Sequence, residues 1–126
     1  MEKRIFFHDT DAGGVVYYGN YLKYMEEART EFLEKRKLSV GDFHKQGFLY
    51  AVSQCSIHYR SPARYGETLV CGAELVKVTA VKLIFNQTIH EKLSHRLVVE
   101  AEVTLVCLNK EFKPAAIPED MKSQLL

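Results

Sequence analysis

The sequence predicts an α+β fold in which a five- to six-stranded antiparallel sheet wraps around one long central helix. Three features carry this: one stretch of helical period that begins at Asn20, four later runs in which apolar and polar residues alternate, and short polar connections between those runs. A single helix cannot cover both faces of so long a sheet. The sheet is therefore expected to curl with the helix on its concave side, leaving an edge or apolar remainder to be hidden by self-association. At 126 residues the chain makes one domain, long enough to bury a core and too short for two.

Taken in order, Lys3 to His8 is short and apolar enough for a first strand, which Asp9 and the following glycines end. From Asn20 the period changes. Tyr21, Met25, Ala28 and Phe32 recur on one face, widened by Leu22 and Leu33, while Lys23, Glu27, Glu31, Glu34 and Lys35 fall largely opposite. The pattern predicts a helix of about four or five turns. Asn20 is its expected N-cap, and Lys35, Arg36 and Lys37 suit its negative end. Leu38 to Gly47 reads as a connection with one helical turn.

Period two then takes over in four runs, starting at Leu49, Leu69, Val81 and Leu97. In the first run Leu49, Ala51, Ser53, Cys55, Ile57 and Tyr59 are expected on one face. The four are expected to pair in succession as an antiparallel meander. After Cys107, Pro114 and Pro118 prevent regular structure, and Pro118-Glu119-Asp120-Met121 can open a short last helix.

Composition narrows the partners. Seventeen basic residues stand against sixteen acidic ones, for a net charge of +1, so no whole-protein field favours nucleic acid or an anionic membrane. Small molecules or other protein chains are expected instead. No apolar run reaches the ~20 residues of a membrane span, and Met1-Glu2-Lys3-Arg4-Ile5 leads directly into strand-like sequence, so a cytoplasmic protein is expected. Cys55, Cys71 and Cys107 lie in strand-like runs without C-x-x-C spacing. They are expected to be small buried hydrophobes, with neither a disulfide framework nor a zinc site.

The chemistry-bearing stretch is Phe7 to Tyr21, where two acids and two consecutive glycines directly precede the helix. Asp9-Thr10-Asp11-Ala12-Gly13-Gly14 opens like a calcium loop, but its fifth position is Gly13 and its twelfth is Asn20, so the ligand set is incomplete. Two readings of the acids remain open on the residues alone. They can shape a turn by accepting amide hydrogen bonds. Alternatively, a carboxylate beside a helix start, in a loop where Gly13 and Gly14 let a ligand approach the backbone, sits among N–H groups able to polarise a carbonyl oxygen. Such equipment suits attack on an ester or thioester, with the carboxylate as nucleophile or as base for water. No serine, cysteine or histidine completes a triad around it.

Asp9-Thr10-Asp11-Ala12-Gly13-Gly14-Val15-Val16-Tyr17, followed by Asn20-Tyr21-Leu22-Lys23-Tyr24 and Glu26-Glu27-Ala28-Arg29, resembles the 4-hydroxybenzoyl-CoA thioesterase family, most closely its bacterial branch of acyl-CoA thioesterases associated with the Tol-Pal gene cluster. Tyr59-Arg60-Ser61-Pro62-Ala63-Arg64-Tyr65-Gly66-Glu67 continues the resemblance, which covers essentially the whole chain. It implies a hotdog fold, dimers and often tetramers with active sites at the dimer interface, and hydrolysis of acyl-CoA thioesters without metal or cofactor. Residue by residue, it places the catalytic carboxylate at Asp11 and the polarising backbone N–H at Tyr18, where the nearest branch often has histidine. Gly13, Gly14, Val16 and Asn20 fall along the substrate, and Arg60, Arg64 and Lys82 are expected along the path of the CoA phosphates.

Two other functions are compatible with such a fold. One is a dehydratase or hydratase of 3-hydroxyacyl or enoyl thioesters, chemistry that usually recruits a histidine with an acid and finds none between Asp9 and Asn20. The other is a non-catalytic acyl-CoA binding subunit.

Overall fold

The computed structural model describes residues 1–125. Strand β1 (Glu2–Arg4) leads through a 3-10 turn at Phe7–Asp9 to helix α1 (Asn20–Lys35) and the short helix α2 (Val40–Lys45). Strands β2 (Leu49–Tyr59), β3 (Thr68–Val78), β4 (Lys82–Glu91) and β5 (Leu97–Leu108) follow, and α3 (Glu119–Leu125) closes the described chain. The sheet has five strands in the order β1-β3-β4-β5-β2, and every pairing is antiparallel.

Two expectations about the strands are corrected. The first strand does not run to His8, because the carboxylate of Asp9 accepts the amide of Phe6 at 2.8 Å and turns the chain before Phe7. The meander holds only for β3-β4-β5, since β2 lies at the far edge against β5. Residues 60–67 explain why β2 does not turn back onto β3. The amides of Arg60 and Ser61 donate to the Val98 carbonyl, that of Gly66 donates to the Ile5 carbonyl, and the Ala63 carbonyl accepts from Val16. A segment bonded in three directions crosses the end of the sheet instead of forming a hairpin.

Bulges account for a phase error. A register shift between Val52 and Gln54 leaves Ser53 as the extra residue, so Tyr50 and Val52 face the same side as Cys55, Ile57 and Tyr59, paired with Cys107, Leu105, Val103, Ala101 and Val99. The expected face of β2 is thus right from Cys55 onward and inverted before it. Cys71 and Cys107 are buried as expected, while Cys55 is exposed because β2 is an edge strand with no neighbour on its other side.

On α1 the buried side chains are Tyr21, Tyr24, Met25, Ala28, Arg29 and Leu33. Leu22, expected to widen the buried face, is 48% exposed, whereas Arg29 is only 9% exposed. Gln87, on the concave face of β4, explains the buried arginine. Its Oε1 accepts from Arg29 Nη1 at 2.9 Å, and its Nε2 donates to the Met25 carbonyl at 3.0 Å. This polar pin separates two apolar clusters. One gathers Ile5, Val16, Tyr21, Met25, Leu69, Ile89 and Val99 around the start of α1. The other gathers Leu33, Phe43, Leu83, Phe85, Leu105 and Met121 around its end. Among the described residues, no helix is long and apolar enough to cross a membrane.

Candidate active site

Residues 10–16 form a tight hairpin. Thr10 bridges Val16, the Asp11 amide donates to the Val15 carbonyl at 2.9 Å, and the Gly14 amide donates to the Asp11 carbonyl at 3.0 Å. Gly14 has a φ of 78°, the left-handed conformation that such a three-residue loop requires after its turn. Within the loop Asp11 Oδ1 accepts the Gly13 amide at 2.8 Å, which orients the carboxylate while leaving the side chain exposed. A Cβ at Gly13 would come within 3.2 Å of that same oxygen, so the small residue keeps room for the carboxylate.

The hairpin is fixed at its base by Asp9, which is 7% exposed. Its side chain holds Phe6, and its carbonyl accepts both the Tyr17 amide and Asn20 Nδ2, each at 3.0 Å. Asp9 therefore shapes the turn. Asn20 is not the N-cap expected of it. It is the first helical residue, and its amide group donates outward to the loop instead of accepting from the first turn. The helix opens with tight turns, Tyr21 bonding back to Tyr18 and Leu22 to Gly19. The amides of Tyr18 and Gly19 have no protein acceptor among the described residues. They form a pair of adjacent donors at the positive end of α1.

The other expected residues are distributed unevenly. Val16 is 3% exposed and sits in the core, so only its backbone belongs to the loop. Arg60 pairs with Glu100 through Nε at 3.1 Å, a contact that draws the Glu100 carboxyl below its usual range. Arg64 bridges Val15 by its backbone, which places it directly beside the hairpin with its side chain exposed. Lys82 begins β4, at the end opposite to Glu91, which pairs with Leu69 near the loop. About 30 Å of strand separates Lys82 from that end, so within one chain it does not reach the site.

Two features beside the loop were not anticipated. Arg96 donates to Ser61 Oγ at 3.2 Å, to the Pro62 carbonyl at 3.0 Å and to both Glu67 carboxylate oxygens at 3.0 and 3.1 Å, and Glu67 also accepts the Arg64 amide at 2.7 Å. This brace stiffens the crossing segment on which the hairpin rests, and only the turn chemistry of Ser61-Pro62 hinted at it. Tyr59, at the end of β2, packs its ring 6.1 Å from that of Tyr18 and 5.9 Å from that of Tyr21. With Tyr17, 5.0 Å from Tyr18, it makes an aromatic wall beside the free amides. Tyr18 itself is 63% exposed.

A curved antiparallel sheet around one central helix, with an exposed carboxylate on a hairpin and free amides at the helix start that follows it, defines a hotdog protein equipped to act on a carbonyl. The model of the thioesterase-like superfamily matches residues 5–125, and the chain belongs to that superfamily. Among relatives, it is 33% identical over 122 residues to the acyl-CoA thioester hydrolase YbgC of Escherichia coli O6:H1, covering 96% of this chain and 90% of that protein. It is 32% identical to the putative acyl-CoA thioesterase YneP of Bacillus subtilis, over 90% of this chain and 82% of that one. Among solved structures it is similar to Slr0204, a 1,4-dihydroxy-2-naphthoyl-CoA thioesterase from Synechocystis. The TM-score is 0.91 at 26% identity, with 99% of this chain and 93% of that chain covered.

Proposed function

We propose that this protein hydrolyses acyl-CoA thioesters to the free acid and CoA, with Asp11 as the reacting carboxylate and the Tyr18 amide as the oxyanion donor. The observation that carries this reading is the exposed Asp11 carboxylate on the hairpin that Asp9 and Asn20 tie to two unbonded amides. The named activities of relatives that match nearly the whole chain support it.

In the general-base route, Asp11 takes a proton from water as its oxygen attacks the thioester carbonyl carbon. The carbonyl electrons move to the oxygen facing the Tyr18 N–H, and collapse expels CoA thiolate, which recovers a proton. In the nucleophilic route, Asp11 attacks the carbon itself, the C–S bond breaks to expel CoA thiolate, which takes up a proton, and water then opens the mixed anhydride to the free acid and the Asp11 carboxylate. Both routes use the same oxyanion donors. Oδ1 accepts the Gly13 amide, which leaves Oδ2 as the oxygen free of that bond for either role.

The active unit is a homodimer or homotetramer with its sites at the dimer interface. The exposure of the apolar side chains Tyr18, Tyr59 and Leu22 beside the site supports this. A CoA-ester substrate and three free cysteines fit the cytoplasm. The test is release of free thiol from a panel of aliphatic and aromatic acyl-CoAs by the purified protein. Wild type should turn over at least one ester. Asp11→Asn, folded as judged by circular dichroism, should lose about a thousandfold or more in kcat. Full activity in that variant, or binding without turnover in wild type, overturns the reading.

A further inference from the structure

Among the described residues, the hydroxyl oxygen of Tyr24 is the one buried side-chain polar atom without a hydrogen-bond partner. The residue is 2% exposed and packs with Ile5, Tyr21, Leu69 and Cys71 around the start of α1. Most of what surrounds it cannot accept a hydrogen bond. The Tyr21 ring meets the Tyr24 ring edge to face with centres 6.1 Å apart, and the Lys3 ammonium, 5.4 Å from the ring centre, brings donors only. A buried hydroxyl in such a place costs free energy that a neighbouring acceptor would recover.

That acceptor is Asp9. A carboxylate offers about four lone-pair positions, and among the described residues Asp9 uses its side chain only to take the Phe6 amide at Oδ2. The exposed His8 imidazole stays 3.9 Å from Oδ1, beyond hydrogen-bond reach. Asp9 is itself buried, and it lies beside Tyr24: burial, and after it the Asp9 carboxylate, push the Tyr24 hydroxyl above its ordinary pKa. A buried acceptor with unused lone pairs thus adjoins a buried donor that needs one. Helix geometry accounts for the meeting. Asn20 and Tyr24, four residues apart, share one face of α1 a turn from each other. Asn20 holds the Asp9 carbonyl, and Tyr24 follows it on the side of the carboxylate.

We infer that Tyr24 is a positioning residue for the proposed hydrolysis: its hydroxyl donates to the Asp9 carboxylate, so that α1 grips Asp9 by both polar groups and holds the Asp11 hairpin at a set distance from the Tyr18 amide. The inference rests on the reading of Asp11 and that amide as the reacting pair. Tyr24 touches neither. Its effect passes through Asp9, and a hairpin free to rock on its base would still bind the ester while misaligning the carboxylate.

Tyr24→Phe removes one oxygen and keeps the ring. Deleting an orphaned hydroxyl raises stability, whereas deleting a donor to a carboxylate lowers it and strands the acceptor. We expect a lower melting temperature, a kcat reduced about tenfold and a KM within about twofold on the best acyl-CoA. In an Asp9→Asn background, where the acceptor is already weakened, the same substitution should change kcat by less than about twofold. The Raman tyrosine doublet, taken as the difference between wild type and Tyr24→Phe, should show a strong hydroxyl donor. Hydrogen exchange at the Gly13 and Tyr17 amides, which bond to Asp11 and Asp9, should quicken in Tyr24→Phe with no substrate present.

A Tyr24→Phe protein at least as stable as wild type, or a Raman difference without a donating hydroxyl, overturns the bond. A destabilised Tyr24→Phe with unchanged kcat overturns the positioning role. Should Asp9→Asn fail to fold, the Raman difference and the kcat-against-KM split of Tyr24→Phe decide. Wild type that turns over no acyl-CoA removes the reading of Asp11 instead, and stability, Raman and exchange still decide whether α1 holds Asp9 by Tyr24.

Discussion

Asn20 Nδ2 donates to the backbone carbonyl of Asp9 at 3.0 Å, joining the first residue of α1 to the base of the loop that carries Asp11. The same carbonyl takes the amide of Tyr17, so one oxygen sets the spacing between the carboxylate and the free amides before the helix. Asn20→Ala removes one of the two ties. We expect kcat to fall about tenfold with KM little changed, and Asn20→Asp to fall further because it sets a carboxylate against the carbonyl. Steady-state kinetics on the best acyl-CoA, with thermal melts to exclude unfolding, checks this.

Gly14 at φ 78° has open space where a Cβ would stand, so only the backbone penalty opposes a larger residue. Gly14→Ala should cost about 1 kcal/mol of stability. It should also lower kcat, since relaxing the strain displaces Asp11. Urea unfolding and thiol release measured on the same preparation read the two effects.

The brace between Arg96 and Glu67 lies under the hairpin but touches none of the proposed reacting groups. Arg96→Ala strips hydrogen bonds from Ser61, Pro62 and Glu67 together. A loss of about 1–2 kcal/mol in urea unfolding is expected. Hydrogen exchange should rise first in residues 60–67, and protection there equal to wild type would contradict the brace.

Glu91 gives a pH signature. Its carboxylate accepts the amides of Leu93 and Ser94 at 3.0 and 2.9 Å, which hold its pKa down at about 2, against an unfolded value of about 4.3. The folded state thus binds its proton less readily than the unfolded state. This contribution is fully present above pH ~5 and disappears as pH falls from there through ~2. Melting curves of wild type and Glu91→Gln should differ at pH 6 and converge only below about pH 2.

Local patterns in the sequence carried the helix, the four long strands and the short last helix, because Tyr21, Met25 and Ala28, or Leu83, Phe85 and Ile89, repeat at the period of the element that buries them. Features decided by distant partners were illegible. The bulge at Ser53 exists only because β2 must match β5, and nothing near Ser53 marks it. The place of β2 beside β5 depends on where the amides of residues 60–66 find acceptors, at Val98 and Ile5. The helical period assigned Arg29 to neither face, because its partner Gln87 lies far along the chain. In the candidate site, the Asp9-to-Asn20 segment was readable because its glycines and acids act within a few residues of one another. Arg96 and Tyr59 reach it only through the fold.

The group proposed to touch the reacting carbonyl is, Asp11 apart, a main-chain atom: the amide of Tyr18, beside the free amide of Gly19 and spaced by the carbonyl of Asp9. Substitution does not delete a peptide group, and the rings of Tyr17 and Tyr18 stand outside it, exposed. Mutations at these two positions can reshape which acyl group is received while the oxyanion donors stay where they are. The scaffold is thereby evolvable: substrate range drifts at its rim, and the chemistry is inherited with the backbone.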